Sequence, residues 1–158
     1  MILVVGGNAR GVGKTTLVCH LIRLLPEWPW TAVKVSGHPH GSPPSPTPRP
    51  TPRASQPRAT ERFLQAGAAA AHLLRDTAAD RALLEDLAGS DRPLVIESNR
   101  AVEWVRFDAY LFVLDPGAAD PKPPERCFLA RATWVLPPRT DPPEVLVAAM
   151  RRLLVGRG

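Results

Sequence analysis

The sequence predicts a three-layer α/β domain whose mainly parallel sheet is covered by helices on both faces. Three observations carry this. Ile2–Val5, Leu94–Ile96 and Tyr110–Leu114 are short, uninterrupted aliphatic or aromatic runs, the pattern of strands buried on both faces rather than one. Segments of helical period alternate with them, as parallel strands joined by crossover helices require. The chain has 158 residues, 44% of them hydrophobic and 22% charged, enough for one core and too few for a second. Residues 1–158 are therefore expected to form a single domain.

The elements follow in order. After the Ile2–Val5 strand comes a glycine-rich loop to Gly13, then Leu17, Val18, Leu21, Ile22, Leu24 and Leu25 at helical spacing, closed by Pro26. Thr31–Ser36 reads as a second strand. From Ser42 to Arg58 the chain carries seven of its 19 prolines and almost no apolar side chain, so residues 42–58 are expected to be an extended or disordered insertion loop within the domain. Order resumes at Ala59 with Thr60 as a helix cap. Ala68–Leu74 is ambiguous, since its alanines favour a helix while its place between two helical patterns favours a strand. A helix opens at Thr77 or Asp80 and ends at Gly89. The strand Leu94–Ile96 finishes on Glu97, and a strand over Ala109–Leu114 finishes on Asp115-Pro116-Gly117. A helix over Pro124–Arg131, a strand over Thr133–Leu136 and a helix over Pro142–Leu154 complete the chain.

The chemistry is concentrated in Gly11-Val12-Gly13-Lys14-Thr15-Thr16, which lies directly between a predicted strand and a predicted helix. This is the context of a P-loop, and it makes the domain P-loop NTPase-like. Glycines let the backbone curl round phosphates with its N–H groups turned inward, and the helix adds the positive end of its dipole. Lys14 is expected to reach the β- and γ-phosphates of GTP or ATP, and the Thr15 hydroxyl to bind Mg²⁺. The spacing departs from the usual Gly, four residues, Gly-Lys-Thr. Asn8 stands where the first glycine belongs, with Gly7 one residue early. Asparagine tolerates positive φ better than most residues, which would preserve the turn. A second anchor for magnesium, or a catalytic base, is sought at a strand end. Glu97 is preferred to Asp115, because Asp-Pro-Gly is also an ordinary turn signal. Lys34 interrupts an apolar strand and could meet a phosphate or a substrate carboxylate. His38 and His40 follow it with no third metal ligand in view.

The net charge is +5, but the arginines are scattered along the chain. That speaks for a solvated, anion-attracting surface over a dedicated nucleic-acid site. Cys19 and Cys127 sit in apolar, helical segments and read as reduced core residues. Trp28, Trp30, Trp104 and Trp134 read as packing residues. No apolar run approaches the roughly 20 residues needed to cross a bilayer, and the N-terminus lacks the features of a signal peptide. A cytoplasmic protein without a membrane partner is expected.

The loop, Lys34 with its histidines, the segment Arg62-Phe63-Leu64-Gln65-Ala66-Gly67-Ala68, and Val95-Ile96-Glu97-Ser98-Asn99 occur in an order that resembles the molybdopterin-guanine dinucleotide biosynthesis protein B family. That family is related to dethiobiotin synthetase and the septum-site ATPases. The resemblance spans most of residues 1–115 and implies a guanine-nucleotide binder with weak GTPase activity that assists a molybdenum-cofactor assembly enzyme; it leaves a homodimer open. It implies phosphate and magnesium roles for Lys14 and Thr15, and site roles for Lys34, His38 and Glu97. The Gly7–Gly13 spacing is closer to dethiobiotin synthetase, and Ala9 stands where the septum-site ATPases have a second lysine. No Asn-Lys-x-Asp sequence reads guanine. Two other readings follow: ATP-dependent phosphoryl transfer to a small carboxylate or hydroxyl acceptor, and a non-catalytic adaptor that uses its proline-rich loop.

Overall fold

The structure, a computed structural model, describes residues 1–36, 58–118 and 123–156. The proline-rich loop, apart from Arg58, lies outside them, as do His38 and His40. Six strands, β1 (Ile2–Gly7), β2 (Thr31–Ser36), β3 (Ala70–Arg75), β4 (Leu94–Glu97), β5 (Ala109–Val113) and β6 (Trp134–Leu136), form one sheet in the order β3-β2-β4-β1-β5-β6. Every pairing is parallel. The connecting helices are α1 (Lys14–Leu24), α2 (Ala59–Gln65), α3 (Ala78–Ala88), α4 (Pro123–Ala130) and α5 (Glu144–Val155), with one 3-10 turn at Arg100–Glu103.

The uninterrupted apolar strands are uninterrupted because both faces are covered. Leu3 and Val5 of β1, Val95 of β4 and Leu111 and Val113 of β5 pack into one core with Leu17, Val18, Leu21 and Ile22 of α1, Phe63 of α2 and Leu146 and Met150 of α5. Ile2, Val4, Leu94, Ile96, Tyr110 and Phe112 enter the opposite core with Leu84 of α3 and Phe128 of α4. Alternate residues of one strand thus serve two layers of helices. This is the three-layer α/β fold.

The ambiguous segment resolves as β3, the edge strand paired with β2 from Thr31↔Ala70 to Ser36↔Arg75. Only Leu74 in it is buried, so it carries neither the continuous apolar run of a central strand nor a clean alternation. Two expectations are corrected. Thr60 does not cap α2; Arg58 occupies that position, and its N–H donates to the Glu61 carboxylate at 3.0 Å. Cys127 is not in the core but exposed on α4, while Cys19 is buried. Thr77 does cap α3, accepting from the Asp80 N–H at 3.2 Å. Among the described residues no helix is long and apolar enough to cross a membrane.

Candidate functional site

Because all strands run the same way, their carboxyl ends lie along one edge, where α/β sheets collect ligands. The loop between β1 and α1 crosses that edge at the centre of the sheet. Gly7 opens it in close contact with β5: a Cβ there would fall 2.7 Å from the Val113 carbonyl oxygen and 2.9 Å from Val12 Cγ1. Gly11 and Gly13 have φ of 75° and 113°, values that glycine adopts without strain. Gly13 caps α1 without any side-chain bond, and the first turn contains no acidic residue. The first-turn N–H groups therefore keep the anion affinity of an uncapped helix N-terminus. Lys14 folds back over the loop and donates to the Ala9 carbonyl at 2.7 Å. Val12 is buried and anchors the loop in the core.

Asn8 works differently from the expectation that it tolerates positive φ. Among the described residues Arg139 alone of the non-glycine residues has positive φ, so Asn8 needs no such tolerance. Its side chain ties the loop to β5 instead. The Asn8 amide donates to the Asp115 carbonyl at 2.8 Å, and its oxygen accepts from the Asp115 N–H at 2.9 Å. Asn99, just beyond β4, makes the same two-way clamp on Gly7, accepting from its N–H at 2.7 Å and donating to its carbonyl at 2.9 Å. Two asparagines thus hold the base of the loop from both neighbouring strands. Asp115 meets the loop through its backbone, while its carboxylate accepts from the Gly117 N–H at 2.9 Å and closes its own turn.

Thr15, Lys34 and Glu97, far apart in sequence, converge. Lys34 on β2 and Glu97 on β4 are register partners. The Thr15 hydroxyl donates to Glu97 Oε2 at 2.7 Å, and Lys34 Nζ meets Glu97 Oε1 at 2.6 Å. The carboxylate is only 6% exposed, so both its oxygens are compensated where a lone buried charge would be costly. The neighbouring Thr16 hydroxyl accepts from Arg62 of α2 at 3.2 Å. No local pattern marks Arg62 and Asn99 beyond the resemblance, because their contacts bridge 46 and 92 residues. Arg139, past β6, packs its backbone N 3.1 Å from where a Gly13 Cβ would lie; no local signal points to it.

A cavity of about 560 Å³ opens over these residues. It is lined by five basic side chains, Arg10, Lys14, Lys34, Arg62 and Arg100, against two acidic ones, Asp76 and Glu97. Its size is that of a small-ligand site. Among the described residues no group of three or more His, Cys, Asp or Glu side chains could hold a metal ion; the hard oxygen donors at the loop are Thr15 Oγ1 and the Glu97 carboxylate. Fold and site together define a three-layer α/β protein with a cationic cleft along the carboxyl edge of a parallel sheet. No family model, curated protein or solved structure matches the chain.

Proposed function

We propose that the chain is a P-loop protein that binds GTP or ATP with Mg²⁺ and hydrolyses it slowly. The observation that carries the reading is the contact of the Thr15 hydroxyl with Glu97, made directly beneath a glycine loop and a helix start without an acidic residue. In this reading the backbone N–H groups of Gly11–Thr16 bind the phosphates, and Lys14 exchanges the Ala9 carbonyl for the β- and γ-phosphate oxygens. Thr15 and Glu97 would hold Mg²⁺, which suits one or two protein oxygens completed by water and phosphate. The ion, when bound, neutralises charge on the phosphates. Lys34 occupies one Glu97 oxygen, which favours Glu97 as a metal anchor over a general base. Asp115 is the weaker base candidate, since its carboxylate closes a turn.

The role of accessory protein to a cytoplasmic molybdenum-cofactor assembly enzyme rests on the resemblance alone. Titrating the protein with Mg²⁺-GTP and Mg²⁺-ATP tests the core of the reading. Wild type should bind one or both, and Lys14→Ala should bind about tenfold more weakly or worse. If wild type binds neither nucleotide, the reading fails. Phosphoryl transfer to a small acceptor is the second reading, favoured by the continuation of the cavity past Glu97 to Arg100. Under it, nucleotide turnover rises sharply when the acceptor is added.

A further inference from the structure

The cavity has a second end. Asp76, directly after β3, lies three strand positions from β1 along the sheet edge, roughly 14 Å at about 4.8 Å per strand. Its carboxylate is 5% exposed and receives two arginines. Arg81 donates through Nε at 2.8 Å and through Nη2, and Arg100 through Nη1. Both guanidinium carbons also lie over the Trp104 ring, 4.8 and 5.7 Å from its centroid. Glu103, 47% exposed, approaches Arg100 Nε at 3.8 Å, a distance at which solvent screens the pair. Arg100, Trp104 and Asp76 line the same cavity as the glycine loop.

The buried Asp76 carboxylate with its two arginines carries one positive charge in excess, which the half-exposed Glu103 offsets only weakly, and the contact fixes Arg100 Nη1 in place. A guanidinium held in place this way keeps N–H donors beyond the one given to Asp76 and can present them to an anion. We infer a second anion subsite here, in which Arg100, braced by Asp76 and Trp104, holds the carboxylate or phosphate of a small acid across Glu97 from the glycine loop. Its role as the acceptor end of the cavity rests on the nucleotide reading above; its affinity for the anion does not.

The probes are malonate and inorganic phosphate, each titrated calorimetrically into the full chain with and without saturating Mg²⁺-nucleotide. The subsite predicts that one or both bind wild type in either condition, that Arg100→Gln weakens this by about tenfold or more, and that Lys14→Ala does not remove it. Binding by malonate alone or phosphate alone identifies the acid. Should Arg100→Gln fail to fold, the fluorescence change on adding the anion to wild type, absent in Trp104→Phe, supports the subsite, and an equal change in Trp104→Phe overturns it. Anion binding that is absent in wild type, equal in Arg100→Gln, or lost only in Lys14→Ala also overturns it. Failure of nucleotide binding with the anion still bound at Arg100 refutes the nucleotide reading and leaves the subsite standing.

Discussion

Asn8→Gly restores the regular glycine pattern of a phosphate loop, yet it should damage this protein. On spacing alone the change is neutral or helpful. In the structure the buried Asn8 side chain makes two hydrogen bonds to the Asp115 backbone, at 2.8 and 2.9 Å. Each contributes about 0.5–1.5 kcal/mol net, and glycine adds roughly 0.5–1 kcal/mol of backbone entropy cost. The total loss is about 1.5–4 kcal/mol, or roughly 3–16 °C in Tm for a domain of this size. Urea unfolding followed by far-UV circular dichroism measures it, with an unchanged m-value confirming that stability and not the denatured state has moved. Asn8→Gly as stable as wild type would show that the clamp on β5 holds nothing, and the account of the loop would be wrong.

Other substitutions separate the same forces. A Cβ on Gly6 would lie 2.2 Å from the Tyr110 hydroxyl and 2.5 Å from Asn99 Oδ1, so Gly6→Ala should destabilise by about 1–3 kcal/mol or more. Gly89→Ala meets nothing closer than 3.5 Å and should be neutral or slightly stabilising; equal losses for the two in thermal melts would contradict this. With maleimide at neutral pH, exposed Cys127 should label quickly and Cys19 only on unfolding, because Cys19 is buried and burial pushes its thiol above its ordinary value of 9.0. Mass spectrometry that finds both thiols labelled at similar rates refutes the placement. Burial likewise raises the Tyr110 phenol above its ordinary 10.0. Both groups keep protons in the folded state that the unfolded chain releases, so stability should be intact below about pH 9 and fall as pH rises through 9 and 10. A flat stability profile from pH 8 to 11 would count against it.

The parts legible in the sequence were those fixed by local pattern. Continuous apolar runs located β1, β4 and β5 because both faces of those strands are buried, and the helical period of α1 placed Leu17, Val18, Leu21 and Ile22 on the face that meets the sheet. The strand β3 stayed ambiguous because an edge strand with one buried residue has little pattern to show. Lys14, Thr15 and Glu97 could be named from their positions at element ends and Lys34 from its interruption of an apolar strand, but not that Thr15 and Lys34 meet on the Glu97 carboxylate. Asn99, Arg62 and Arg100 carried no local signal, since their partners lie 24–92 residues away, and Asp76 gains its role only when Arg100 joins the nearby Arg81 on it. Asn8 was read for its backbone when its side chain was the point. Cys127 has apolar neighbours in the sequence yet is exposed on α4, so apolar neighbours alone do not mark burial.

The central claim, a phosphate loop working with Glu97 across the sheet edge, is tested most directly by a crystal structure with Mg²⁺ and a non-hydrolysable GTP or ATP analogue. The account predicts phosphates on the N–H groups of Gly11–Thr16, Lys14 Nζ moved from the Ala9 carbonyl to a phosphate oxygen, and Thr15 Oγ1 turned from Glu97 to the metal. Nucleotide bound away from the loop, or Lys14 still on Ala9 and Thr15 still on Glu97 with nucleotide present, would contradict it.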